Sequence, residues 1–185
     1  SGNFSYVDNF EVDNNKAGLK ELNPRWMFLR DFVDCYKVEN GKLKFNLLPG
    51  NIYKREPMSA IWARQQHGTF TAETEINFTP RNDKEIAGLA LLQKEDHNFV
   101  LGKTMKNGKL MITLTRAEKN NVTIASAPIK EGKLKLKVEG HDRYYDFYYA
   151  EEGGSWQLLA KGVDASNLST QKSGGFLGAC IGLYA

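Results

Sequence analysis

The sequence is poor in the residues that staple or interrupt a chain. Its 185 residues hold two cysteines, Cys35 and Cys180, far apart and with nothing near either at metal-ligand spacing. A disulfide framework and a structural zinc knot are thereby excluded as organising devices, and two buried thiols rather than a disulfide are expected. Histidine is equally scarce. His67, His97 and His141 stand apart, none beside a Ser or Cys in a nucleophile context, so they read as surface or core histidines, and no metal ligand set is expected. Charge of one sign is missing too: 25 Lys+Arg against 22 Asp+Glu leaves +3, and the basic residues are scattered singly, so nucleic acid is not an expected partner. No apolar run approaches the ~20 residues needed to span a bilayer, and Ser1-Gly2-Asn3-Phe4-Ser5 shows no basic region leading into an apolar one, so no membrane contact is expected. The length suits one domain spanning residues 1–185, burying roughly 70% of the surface of its unfolded chain.

What is present is strand periodicity. Tyr145, Phe147 and Tyr149 alternate with Tyr144, Asp146 and Tyr148, Glu151-Glu152-Gly153-Gly154 accepts a tight turn, and Trp156, Leu158 and Ala160 are expected to resume the alternation. Phe70, Ala72, Thr74, Ile76 and Phe78 share one face of a further strand, with Thr71, Glu73, Glu75 and Asn77 on the other. Ile86–Leu92 is a continuous apolar run in which Gly88 marks a close backbone approach. Asn107-Gly108 joins Phe99–Met105 to Leu110–Thr115 in a hairpin, and Asn40-Gly41 opens the alternating Lys42–Leu48. Tyr6–Phe10, Ser59–Gln66, Val122–Ala127 and Leu134–Val138 complete the set. Strands at this cadence without an amphipathic helix predict an all-β, antiparallel β-sandwich.

Three groups of side chains carry candidate chemistry. Glu73 and Glu75, two apart on one strand face, suit paired acid and base work on a glycosidic bond, although a solvated strand face carries such charges without any catalytic role. Trp62, Arg64 and Gln66 alternate onto one face, with His67 beside them. An aromatic ring next to planar donors can stack on and hydrogen-bond a sugar, and the same donors can instead tie strands together. Asp8, Asp13 and Asp142 supply carboxylates of the kind that hold structural calcium in some sandwiches, without a spacing that demands it.

Trp26–Arg30, Ala63-Arg-Gln-Gln-His67 with Phe70, Ile86–Leu89, Tyr145–Tyr149, Gly153-Gly-Ser-Trp156 and Gly174-Gly-Phe-Leu-Gly-Ala-Cys-Ile-Gly-Leu-Tyr184 follow one another in an order that resembles a single module. It is the C-terminal concanavalin A-like β-sandwich of the β-xylosidases and α-L-arabinofuranosidases of glycoside hydrolase family 43. The resemblance implies that the catalytic carboxylates belong to a five-bladed β-propeller outside this chain, so none is expected here. The sandwich docks on that propeller and lends a loop to the pocket for the end of a xylo- or arabino-oligosaccharide. Gly174-Gly-Phe-Leu-Gly178 matches the loop, which makes Phe176, flanked by Gly175, the sugar contact, while Arg64, Gln66, His67 and Trp62 become candidates for the interface. Leu177 stands where the family has Thr, so that hydroxyl is lost. Relatives continue past the segment matching Ile181–Tyr184 into one more strand beside the opening one. This leaves an edge near Tyr6–Phe10 open to pairing with a second copy. An independent carbohydrate-binding module using Trp62, Tyr144 or Tyr148 is the alternative.

Overall fold

The computed structural model describes residues 36–39, 42–45, 60–64, 69–94, 97–118, 120–166 and 180–184, with side chains described within 69–92, 97–118 and 120–166. Every regular element among them is a strand: β1 (Tyr36–Glu39), β2 (Lys42–Phe45), β3 (Ala60–Arg64), β4 (Thr69–Ile76), β5 (Ile86–Lys94), β6 (His97–Lys106), β7 (Lys109–Glu118), β8 (Asn120–Pro128), β9 (Leu134–His141), β10 (Tyr144–Glu151), β11 (Gln157–Asp164) and β12 (Cys180–Tyr184). The expected opening strand at Tyr6–Phe10 and the segment 24–30 lie outside the described residues. No helix among the described residues is long and apolar enough to cross a membrane.

Local chemistry accounts for the hairpins. Asn107 and Gly108 take φ of 52° and 74° between the paired Lys106 and Lys109, the left-handed pair that matches strand twist in a two-residue turn. Gly153, at φ 74°, turns β10 into β11 while the Gly154 N–H donates to the Glu151 carbonyl at 2.8 Å. The carboxylates of that turn hold its neighbour: Glu151 Oε1 accepts from the Lys130 N–H at 2.6 Å and Glu152 Oε2 from the Lys133 N–H at 3.3 Å.

The strands form two layers and a small hairpin. One antiparallel sheet runs β11-β10-β9-β4, the other β3-β12-β5-β6-β7-β8, and β1 pairs only with β2. Between the layers Leu89, Leu91, Phe99, Leu101, Ile112 and Leu114 of the larger sheet meet Leu134, Leu136, Val138, Tyr145, Phe147 and Tyr149 of the smaller one. This is a β-sandwich, as the alternation requires. Across β5, β6 and β7 the larger sheet is covered on its second face as well, since Ala90, Asn98, Val100 and Thr113 are also buried. That double burial is why β5 reads as an unbroken apolar run. Gly88 sits opposite Gly102, and a Cβ there would strike the Leu101 carbonyl oxygen and come within 2.7 Å of Gly102 Cα.

β4 alternates as expected, with Thr71, Glu73 and Glu75 exposed and Phe70, Ala72, Thr74 and Ile76 turned inward. β11 does not. It begins at Gln157, and its register on β10 breaks between Tyr145 and Phe147 and again between Phe147 and Tyr148. These irregularities reset the inward phase. Leu158 is consequently 51% exposed, while Leu159, Ala160 and Val163 pack on the core and Trp156 precedes the strand.

Lys103 is a charge in an apolar setting, 1% exposed, its Nζ donating to the Gly132 carbonyl at 3.0 Å. Burial pushes its pKa below the ordinary 10.5, opposed by the charge of Glu131. The unfolded chain therefore binds this proton more tightly, and stability should rise with pH up to about 10.5 as the buried amine sheds its charge. Lys103→Met should remove that rise, read as the difference between the two proteins in urea unfolding from pH ~8 to ~10. Gly88→Ala should lower the unfolding free energy by ~1–3 kcal/mol in the same assay, because the neighbour to be displaced is backbone.

Candidate functional site

Trp62 and Arg64 belong to β3, the last described strand on one side of the larger sheet. Their Cα partners across the ladder are Gly182 and Cys180 of β12. Because the pair is antiparallel, the chain leaves β3 at Arg64 and enters β12 at Cys180 at one end of the sheet. Gln66 follows Arg64 by two residues and Phe176 precedes Cys180 by four. Gln66, His67, Gly175 and Phe176 themselves lie outside the described residues, as does Cys35. The topology thus brings Arg64 and Cys180 together at one end of a strand pair, a juxtaposition that spacing in the sequence does not reveal.

Glu73 and Glu75 lie on the exposed side of β4, opposite Lys137 and Lys135 of β9. Paired with lysines on an open sheet face, they resemble cross-strand charge pairs. Asp142 lies in the β9–β10 turn at φ 57°, whereas Asp8 and Asp13 lie outside the described residues. His97 is buried at the start of β6.

A denser polar group occupies the outer face of the smaller sheet. Lys137 Nζ lies 4.5 Å from the ring centre of Tyr148 and 4.4 Å from that of Trp156, and 3.5 Å from Glu139 Oε1. An ammonium between two rings is held by their quadrupoles. Asp146, only 8% exposed, accepts the Gly162 N–H through Oδ1 at 2.7 Å, made available by the positive φ of Gly162 in the irregular β11. Its Oδ2 faces His141 Nε2 at 3.8 Å. The Tyr148 phenol is pushed upward, first by loss of solvent and then by the negative charges of Glu139 and Asp146. Asp146 was expected on this solvated face with Tyr144 and Tyr148, and its burial comes from the bulged neighbour reaching back to it. Spacing alone left His141 without partners. The two-residue turn Asp142-Arg143 pairs His141 with Tyr144, and counting on from that register sets Asp146 opposite Glu139. This count was the available signal.

The aromatic rings proposed for a free-standing sugar platform are engaged by the chain's own cations. Tyr148 carries Lys137, and Tyr144, 46% exposed, has the Arg143 guanidinium 4.9 Å from its ring centre while Arg143 also reaches Asp164 at 3.3 Å. Trp62 lies on the other sheet.

The family model described as the beta xylosidase C-terminal concanavalin A-like domain matches residues 17–185. A xylosidase/arabinosidase of Butyrivibrio fibrisolvens is 31% identical over 155 residues, covering 82% of this chain and 30% of that protein. A non-reducing end alpha-L-arabinofuranosidase of Bacteroides ovatus is 24% identical and matches 86% of this chain and 31% of its own length. Among solved structures, a GH43 protein retrieved from a capybara gut metagenome superposes with a TM-score of 0.80 at 29% identity, over 89% of this chain and 33% of that one. A xylan beta-1,4-xylosidase from Bacillus halodurans gives 0.86 at 20% identity over 100% of this chain and 37% of that one, a likeness of fold. The chain spans about a third of the length of the proteins it matches.

Replacing Glu73 and Glu75 together by Gln should change the unfolding free energy by no more than ~1 kcal/mol, as for exposed pairs. It should also leave any glycoside hydrolysis by the full-length protein unaltered. A hydrolysis rate that collapses in the folded double variant would make these carboxylates catalytic.

Proposed function

Because the chain belongs to the family of β-xylosidase C-terminal concanavalin A-like domains, we propose that it is the accessory sandwich of a longer hemicellulose-trimming exo-glycosidase. It docks on a catalytic β-propeller of the same protein and lends a loop to the pocket. Hydrolysis itself belongs to the propeller's carboxylates. The observation that carries this reading is the β3–β12 ladder, in which Arg64 faces Cys180. It sets Arg64 and Cys180, the described residues next to those of the Gln66–His67 and Gly175–Phe176 segments in sequence, at one end of the larger sheet, which supports a shared role for the segments.

The roles follow from side-chain chemistry. Phe176 presents an apolar ring to the C–H face of the terminal sugar, and Gly175 lets the loop backbone come close. Arg64, Gln66 and His67 offer planar donors to the propeller surface, and Trp62 offers contact area. β3 supports the assignment of an interface. Its sequence, Ala-Ile-Trp-Ala-Arg, is largely apolar for the outermost strand of the described sheet, and strands of that kind call for a covering partner. The named activities of the relatives, xylosidase and arabinofuranosidase, support xylo- or arabino-oligosaccharides as the substrate class, with the choice between them resting with the propeller.

In the full-length enzyme, Phe176→Ala should reduce kcat/KM on xylosides and arabinofuranosides about tenfold, the ~1–2 kcal/mol expected of an aromatic wall, with the unfolding midpoint unchanged. Unaltered kinetics would remove Phe176 from the pocket. Calorimetry of this chain alone with the same oligosaccharides should give no saturable heat. Saturable heat would instead favour an independent carbohydrate-binding module.

A further inference from the structure

We propose that Glu139, His141 and Asp146 form a binding site for a divalent transition-metal ion, zinc above all, on the outer face of the four-stranded sheet. The site lies on the other sheet from Trp62 and Arg64, and it stands or falls independently of the function proposed above.

One ligand atom from each of the three residues lies within 4.8 Å of the others. Zinc with bonds of about 2.0–2.2 Å sets tetrahedral neighbours about 3.4 Å apart. His141 Nε2 and Asp146 Oδ2, at 3.8 Å, are therefore within a few tenths of an ångström of a shared coordination sphere. The Glu139 carboxylate lies within the same 4.8 Å and joins the set by turning about its soft terminal torsion, away from Lys137 and the Tyr148 hydroxyl that engage it without the ion.

Asp146 supplies an observation independent of clustering. It is 8% exposed, and its Oδ1 is fixed by the Gly162 N–H at 2.7 Å. Its Oδ2 lies 3.8 Å from His141 Nε2, so the imidazole and this oxygen already face one another. This is a carboxylate oriented from behind, as metal ligands usually are. The ladder adds a second argument. Glu139 and Asp146 are direct cross-strand partners on one face, where like charges repel. A doubly charged ion between them converts the repulsion into attraction.

The donor set selects the ion. One imidazole with two carboxylates suits zinc and its neighbours better than calcium or magnesium, which prefer oxygen alone. The His141 side chain is 58% exposed, so coordination positions toward solvent stay open to water or to a donor from another molecule. The nearest competing cation is Lys137, 3.5 Å from Glu139 Oε1, and the rings of Tyr148 and Trp156 retain it when the carboxylate turns away.

The test is a calorimetric titration of zinc chloride into the chelator-treated chain, with His141→Ala and Asp146→Asn as comparisons and thermal unfolding as the check on folding. His141 is exposed and Asn keeps the acceptor for Gly162, so both variants should fold. The expected result is one saturable site in the wild type, a zinc-dependent rise in its unfolding midpoint, and affinity reduced at least about tenfold in each variant. Imidazole nitrogen resonances of His141 should shift on adding zinc. Zinc binding that persists unchanged in both variants would place the ion elsewhere, on thiols for example, and overturn the proposal. Absence of saturable binding up to millimolar zinc would overturn it as well.

Discussion

The contact on which the rest of the molecule depends is the aromatic chain that joins the two sheets. Phe99 of the larger sheet lies 5.7 Å from Phe147 and 6.4 Å from Tyr145 of the smaller one, and Phe70 meets Tyr145 edge to face at 5.2 Å. Tilted and edge-on pairs at these distances add roughly 0.5–1.5 kcal/mol each to the burial of the rings. Phe70 has room only because its ladder partner is Gly140. A Cβ at that position would run into the Phe70 ring. The ring and the missing side chain together pin β4 to β9. A slip of one residue would bring Glu73 and Glu75 into the core and turn Ala72 and Ile76 out. Every assignment of inner and outer faces on the smaller sheet, including the polar group around Lys137, follows from that register.

Hairpins were legible in the sequence because their chemistry is local. Asn107-Gly108 and Glu151–Gly154 need only residues that accept positive φ, and the flanking alternation needs only one buried face. Gly88 was legible for the same reason. Two things were not. The order of strands joins β4 to β9 and inserts β12 between β3 and β5, pairings between distant segments that no local pattern encodes. The inward phase of β11 was missed because an irregular ladder obeys neither period, and Leu158 faced solvent where alternation placed it inside. Resemblance to a family supplied the role of the chain, which periodicity could not. Phe176 and Gly175 were named on that resemblance, whereas Gln66 and His67 stood out first as planar donors beside Trp62 and Arg64, and all four lie outside the described residues.

The same architecture explains why chemistry is confined to particular surfaces. Across β5, β6 and β7 the larger sheet is buried on both faces, with Ala90, Asn98, Val100 and Thr113 closed off on the side away from the aromatic core, whereas β8 is largely exposed. The edges differ. β4 carries Glu73 and Glu75, β11 is irregular, and β8 ends at Pro128, all devices that discourage further pairing. β3 shows only Arg64 among apolar neighbours. Among the described outermost strands, β3 is therefore the one whose sequence carries the fewest such devices.

The smaller sheet solves its electrostatics differently in its two halves. Between β4 and β9 the exposed pairs are of opposite sign, Glu73 with Lys137 and Glu75 with Lys135. Between β9 and β10, one step inward, Glu139 stands opposite Asp146. A directly opposed like-charge pair costs some tenths of a kcal/mol up to about 1 kcal/mol, and it would be relieved by a single change to Gln or Asn. What surrounds the pair instead is a backbone N–H from a residue in the left-handed region, an imidazole, and a lysine held to one side by two rings. These features hold both carboxylates in place, Glu139 beside the Lys137 ammonium and Asp146 beside His141, an arrangement in which an exchangeable cation can take the place of the lysine.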